Sequence, residues 1–435
     1  MLDMKPIISK SNEGKEIYKF MVDNFYINRS LSGQGTRKFL VNIKKKIKHL
    51  KIKEIRSGTK VFDWTVPDEW NVTDGYIMKR NGEKIINFKE NNLHIVGYSA
   101  PVNQMMNFKE LKKKIHFIKK FPSAIPYITS YYKRDWGFCM SYNTFKKMND
   151  KDYFIKIKSN FNKKGSLSYG ELLVKGKSKK EILISCNICH PSMMSNELSG
   201  PAIAVQLSKI ILKRSNYYSY RIIFIPETIG AIAYLSRNFK NMKKNFMAGY
   251  HLTCLGIGKD YSIIKSIKEE SYSNRVAKQI LDNLKYKKIY SFLDRGSDER
   301  QFNSPSIDLN VCTLMRSKFF EFKEYHNSMD DLKKTTPKYM QNSFKFILKI
   351  INLIENDFKV KAKIKCEPFL SKRGLYRSLN KNEKLNLLDL DIINVLSYAN
   401  NLKISEICQK TNRPPENIIK VCEILKKHKL ISLSR

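Results

Sequence analysis

Between residues 181 and 256 the chain alternates strands that are apolar along their whole length with amphipathic helices, and this restricts the fold more than any other feature. EILISCNICH runs into a polar loop, and GPAIAVQLSKIILKR repeats apolar residues at helical spacing. YRIIFIPET is a second apolar run, IGAIAYLSRNF a second helix and FMAGYHLTCLG a third strand. Strands without a polar face must be covered on both sides, which a mostly parallel sheet between two helix layers provides. The fold class is therefore α/β. In open sheets of this kind ligands collect beyond the carboxyl ends of the strands, so chemistry is expected in the polar residues that follow each strand.

The flanking sequence has other textures. Residues 13–50 read as two helices, EIYKFMVDNF and RKFLVNIKKKIKHL, broken by RSLSGQGTR. From about 55 to 175 short β-like runs (KVFDWTV, GYIMK, HIVGYSA, YFIKIKS, YGELLVKG) alternate with turn residues. Trp64, Trp70 and Trp136 all fall there, which predicts a β-rich unit with its own small core. Past about 365, LNLLDLDIINVLSYAN, ISEICQKTN and PENIIKVCEILKKHKLISLSR read as three short helices and a strand-like tail. ISEICQKT resembles the first helix of a helix-turn-helix, and PPENIIKVCEILKKHKLI a second helix running into a wing.

Composition narrows the class. Apolar residues are 42% of the 435, enough for a buried core, which excludes wholesale disorder. With 81 Lys and Arg against 40 Asp and Glu the formal charge is +41, a balance that would suit nucleic acid, a membrane surface or an acidic substrate. The lysines are scattered, however, and Ile, Asn and Tyr are abundant too, which points to A/T-rich codon usage. The start, MLDMKPIISKSNEGKEIYKFM, lacks the apolar core of a leader, and no apolar run approaches the roughly 18 residues of a membrane helix. Eight dispersed cysteines do not suggest a disulfide framework. The expectation is a soluble cytoplasmic protein without membrane insertion.

Four loops carry the polar residues that matter. CHPSMMSNELSG places His190 after a strand and Glu197 before a helix; IPETIG places Glu227 at a strand end. DRGSDERQF contains Asp298 in a Gly/Ser turn, and EYHNSMDDL contains His326, followed by Asp330 and Asp331. Two imidazoles and several carboxylates at successive strand ends suit Zn²⁺ with an open position for water and a carboxylate as base.

These strings together resemble the DUF4910-type aminopeptidase-like family within the wider M28-like zinc exopeptidases. ILISCNICHPSMMSNELSGPAIAV, IIFIPETIGAIAYLSRN, RGSDERQFNSPSIDLNV and EYHNSMDDL carry the likeness to the core. PDEWNVTDGYI, HIVGYSAPV and IPYITSYYKRDWGFC mark an inserted β-rich domain. The resemblance implies a phosphorylase/hydrolase-like three-layer core with a mixed, mostly parallel sheet. It divides the chain into an N-terminal helical part of the core (1–55), the insertion (56–165), the main core (166–362) and a winged helix (363–435). It further implies His190, Asp298 and His326 as metal ligands and Glu227 as general base. The pattern departs from the family at Thr228, where a second acid is usual, and in SMMSNELSG, which lacks the bridging aspartate. Glu197 could supply the bridge, or Glu227 could ligate instead of acting as base; one zinc per chain is expected rather than two.

The implied activity is hydrolysis of an amide, on a small peptide or on an amino-sugar or polysaccharide precursor. Arg295 and Arg300 flank Asp298 and could bind an anionic group of the substrate or pair with Glu299. Cys186 and Cys189 form a lone CxxC that predicts neither a metal nor a redox site. His251 could face the site but reads first as a satisfied core histidine, Asp330 and Asp331 as helix caps or as groups orienting His326, and the YITSYYKRDWGF aromatics as a packed core before the lining of a substrate cleft. The contrasting reading is a degenerate peptidase-like protein that binds nucleic acid through its winged helix. The tail lacks a dense Arg/Lys recognition run, so protein interaction or homo-oligomerisation is favoured for it.

Overall fold

A computed structural model describes residues 12–375 and 387–435; the first eleven residues, read above for a leader, and residues 376–386 of the tail lie outside the description. Eight strands form the central sheet: β1 (Lys51–Arg56), β2 (Ser166–Val174), β3 (Glu181–Asn187), β4 (Ser219–Ile225), β5 (Phe246–Leu252), β6 (Tyr261–Ile264), β7 (Lys287–Tyr290) and β8 (Val311–Met315). Their order is β1-β2-β4-β3-β5-β8-β6-β7. The centre, β4-β3-β5-β8, is parallel, whereas β1 with β2, β2 with β4 and β8 with β6 run antiparallel.

The apolar strands serve two cores by their period of two. Ile182, Ile184 and Cys186 of β3 and Tyr220, Ile222 and Phe224 of β4 face one layer, while Leu183, Ile223 and Ile225 face the other. Apolar residues of the helices Glu13–Asn24, Gln34–Lys46, Ser199–Leu212, Tyr272–Asp282 and Pro337–Asn356 join the first core. Those of the helix Ile229–Asn245 and of the β-rich segment join the second. The helix after β3 starts hard against the end of β5: a Cβ at Gly200 would lie 2.3 Å from the Leu252 carbonyl oxygen, so only glycine permits that approach.

Between β1 and β2 the chain builds a separate antiparallel sheet from Lys84–Asn87, Glu69–Met78, Asp152–Asn162 and Val102–Asn107. Two runs read as strands behave otherwise. KVFDWTV folds back as the two-residue strands Lys60–Val61 and Trp64–Thr65, because Phe62 takes a left-handed φ of 55°. HIVGYSA forms only isolated bridges, at Ile95 and Gly97, because Tyr98 at φ 67° interrupts the extended backbone. A further ribbon ties the insertion to the core: Pro126 bridges Asn327, Tyr127 N–H donates to the His326 carbonyl at 2.8 Å, and Ser328 N–H donates to Ile125 at 2.9 Å.

The C-terminal unit comprises the helices Leu387–Ser397, Ile404–Thr411 and Pro415–Lys427 with a three-stranded sheet. The strand Lys359–Ala362, which the sequence reading leaves at the end of the core, pairs with Asn400–Lys403 and Ile431–Ser434 and so starts this unit. Buried Asp357 fastens it to the core, accepting from Ser405 N–H (2.7 Å), Ser405 Oγ (3.0 Å) and Tyr272 Oη (2.8 Å). Among the described residues no helix is long and apolar enough to cross a membrane.

Candidate metal centre

The loop after β3 delivers His190 to the carboxyl edge of the sheet, and its surroundings fix it from two sides. Glu197 receives the His190 backbone N–H at 3.0 Å on Oε1, and its Oε2 lies 2.7 Å from Nδ1. Glu197 sits in a single π-helical turn, Met194–Leu198, a wide turn of the sort that recurs at functional sites. Asp330 pins that turn by accepting Ser195 N–H at 2.7 Å and Asn196 N–H at 2.8 Å. On the other side fully buried Arg29 donates to the His190 carbonyl at 2.6 Å and to the Asn24 carbonyl at 2.7 Å.

Charge balance follows from this packing. Burial lowers the Arg29 pKa to about 10, opposed by Glu197 and Cys189. Burial disfavours the Glu197 carboxylate, yet His190 and Arg29 outweigh it and hold the group below its ordinary range. Burial likewise works against a charged His190, and Glu197 overcomes it, raising that pKa well above normal. With Nδ1 committed to Glu197, the other ring nitrogen, Nε2, is the one that points at Glu227, whose Oε2 is 3.5 Å away.

Glu227 follows β4 and turns toward the cleft with 22% of its side chain exposed. Its Oε1 accepts from Ser297 Oγ at 2.8 Å. Burial raises its pKa, against the pull of His190 and Ser297. Thr228 is strained, with φ 60° and ψ −81°; its N–H donates to Asp298 Oδ1 at 2.7 Å and its hydroxyl accepts from Arg300 at 2.7 Å. His326, also left-handed at φ 54°, lies with its ring centroid 5.0 Å from that of His190. Tyr325 stacks on it at 3.9 Å, and Tyr127 contacts both histidines, at 4.9 and 5.3 Å.

Of the residues expected from sequence, His190, Glu197, Glu227 and His326 are gathered into one cluster. Asp298 is tied to the backbone beneath Glu227; its Oδ2 is buried without a partner, and burial raises its pKa well above normal. Arg300 reaches Thr228, but Arg295 turns outward over the Phe292 ring at 4.8 Å. Tyr127, the first residue of the YITSYYKRDWGF tract read as packed core, lies against both histidines. Arg29 and Ser297 went unnoticed in the sequence, and only Ser297, beside Asp298, had a motif that could have indicated it.

Cys189 lies closer to this cluster than a lone CxxC predicts. Among the described residues, Cys189, His190 and Glu197 have ligand atoms all within 4.8 Å of one another. That trio is a poor seat for a cation, since Nδ1 and Glu197 already satisfy each other, Arg29 stands beside them, and burial raises the thiol pKa to about 11. Nε2 of His190 faces Glu227 Oε2 at 3.5 Å with the His326 ring beside it, the donor types of a catalytic zinc site, but unlike the Cys189 trio these three do not bring ligand atoms within 4.8 Å of one another.

His251 of β5 is fully buried, with Nε2 3.1 Å from Ser297 Oγ and Nδ1 without a partner. Burial lowers its pKa to about 4. The unfolded chain takes up this proton near pH 6.5 and the native chain only near 4, so stability falls as pH drops through that window. The loss from this one group approaches roughly 3 kcal/mol. Urea midpoints at pH 7 and 4.5 are expected to differ less in His251→Gln than in the native chain; equal differences would refute the assignment.

Residues 18–357 match the family described as a domain of unknown function (DUF4910), and residues 359–433 match a winged helix-turn-helix family. A Clostridium acetobutylicum protein named for polysaccharide biosynthesis and an aminopeptidase-like domain is 43% identical over 382 residues, 86% of each chain. A crystal structure from C. acetobutylicum, solved as a candidate peptidase, superposes with a TM-score of 0.90 at 38% identity, covering 97% of this chain and 98% of that one. The zinc aminopeptidase of Bacillus subtilis superposes at 0.57 with 11% identity, over 81% and 95%, a likeness of fold alone.

Proposed function

This chain belongs to the DUF4910 family, with a core of M28 aminopeptidase-like fold and a winged helix after it, and from that premise we propose that it is a zinc-dependent hydrolase of an amide bond. The observation that carries the proposal is the 3.5 Å between His190 Nε2 and Glu227 Oε2, beside the His326 ring. Two ligands on a tetrahedral zinc, each bonded at about 2.0–2.1 Å, stand roughly 3.3 Å apart. His190, Glu227 and His326 would hold the ion, which when bound polarises a carbonyl and acidifies a water. Glu197 is assigned as the group that orients His190 rather than as a ligand, since both its oxygens face that residue. Tyr127 packs both imidazoles in place, and exposed Arg300, held at the Thr228 hydroxyl, is the cation assigned to an anionic substrate group. Asp298, with one oxygen on the Thr228 N–H and the other buried without a partner, is the further carboxylate that could complete the ion's shell.

The substrate class proposed is a small peptide or an amide-bearing sugar precursor, the latter in line with the name of the Clostridium relative. The test is hydrolysis of aminoacyl amides and of N-acyl amino sugars by the zinc-loaded chain and by its His326→Ala variant. Zinc-dependent release of product, absent from the variant, is expected for one class. No release from either class by a fully zinc-loaded chain would reject the hydrolase reading. It would favour a regulatory protein acting through its winged helix, whose binding to nucleic acid would weaken steeply with salt.

A further inference from the structure

Ser297 stands at the meeting point of three strand ends. Asn187, the last residue of β3, donates Nδ2–H to its Oγ at 3.2 Å, and His251 of β5 presents Nε2 at 3.1 Å. Its backbone is fixed as well: Glu299 Oε1 accepts Gly296 N–H at 2.7 Å and Ser297 N–H at 3.1 Å, while Glu299 Oε2 accepts from Thr313 Oγ1 of β8 at 2.9 Å. A serine hydroxyl has one proton and two lone pairs. Asn187 Nδ2 can only donate, so it takes one lone pair. The Glu227 carboxylate can only accept, so it takes the proton. The remaining lone pair faces His251 Nε2, which must therefore carry hydrogen, leaving Nδ1 bare.

We propose that Ser297, itself oriented by His251 and Asn187, is the positioning residue that aims Glu227 at His190. The hydroxyl occupies Glu227 Oε1 and leaves Oε2 as the oxygen that faces His190 Nε2. His251 is then more than core packing: its tautomer decides which way the serine proton points. The hydrogen-bond order stands on its own, whereas its consequence for metal binding rests on the function proposed above.

Two measurements test the parts separately. In ¹⁵N spectra of the metal-free full chain at neutral pH, with His251→Gln used for assignment, His251 is expected as the neutral Nε2–H tautomer. A proton on Nδ1 would turn the serine hydrogen toward His251 and overturn the proposal. By chelator competition, Ser297→Ala is expected to bind zinc 10–100-fold more weakly, and Ser297→Thr, which keeps the hydroxyl, to stay within about threefold of the native chain. Native affinity in Ser297→Ala overturns the positioning role. A native chain that takes up no zinc defeats the hydrolase reading, and the tautomer alone then decides this inference.

Discussion

His190→Ala is expected to bind zinc roughly a thousandfold more weakly than the native chain. Removing one of three protein ligands forfeits about a third of an apparent 10–16 kcal/mol. His326→Ala, which removes the imidazole whose ring centroid is 5.0 Å from that of His190, is expected to lose a similar amount. Glu227→Gln is the more informative variant. The carboxylate facing His190 is expected to be a ligand, so the amide should also weaken binding strongly. Zinc held at native affinity, with turnover abolished, would instead make Glu227 the general base. Metal content by mass spectrometry and affinity by chelator competition read out zinc binding in all three without a substrate; the general-base outcome for Glu227 additionally needs the hydrolysis assay.

The second large effect concerns stability. Arg29→Met is expected to cost about 3–5 kcal/mol, the scale for breaking a buried ionic cluster from one side. It leaves Glu197 buried with His190 as its sole counter-charge, and deprives the His190 and Asn24 carbonyls of their donors. The check is the urea midpoint at unchanged slope; a cost below about 1 kcal/mol would show that Arg29 does not balance the cluster. Arg29→Lys should recover only part of the loss, because one ammonium replaces a planar fork that reaches both carbonyls.

How much of this could be read from the residues follows from what kind of signal each carries. The central strands were legible because apolar residues dominate both faces, with polar residues such as Ser185, Arg221 and His251 only at isolated positions. His190 and Glu227 were legible because each follows an apolar run; His326, eleven residues past β8, was legible only through the EYHNSMDDL string. Glu197 was legible as a member of the site but not in its role, which depends on a π-helical turn that no spacing rule announces. Arg29 lies 161 positions before its partner His190, in a segment whose periodicity says only helix–loop–helix. Arg295 and Arg300 flank Asp298 alike in sequence, but a short 3₁₀ turn at Phe292–Asp294 sends the first away from the cleft. HIVGYSA has strand composition, and one left-handed tyrosine undoes it.

The ribbon between Ile125–Tyr127 and His326–Ser328 has a kinetic consequence. Its contacts span about 200 residues, as between Ile125 and Ser328, and such pairings close late because the entropy of a long loop is lost before they form. His326 gains its backbone partner only when the insertion has folded and docked. During refolding the metal seat should therefore appear after the bulk of the secondary structure, and competence to bind zinc marks a finished chain rather than a finished core.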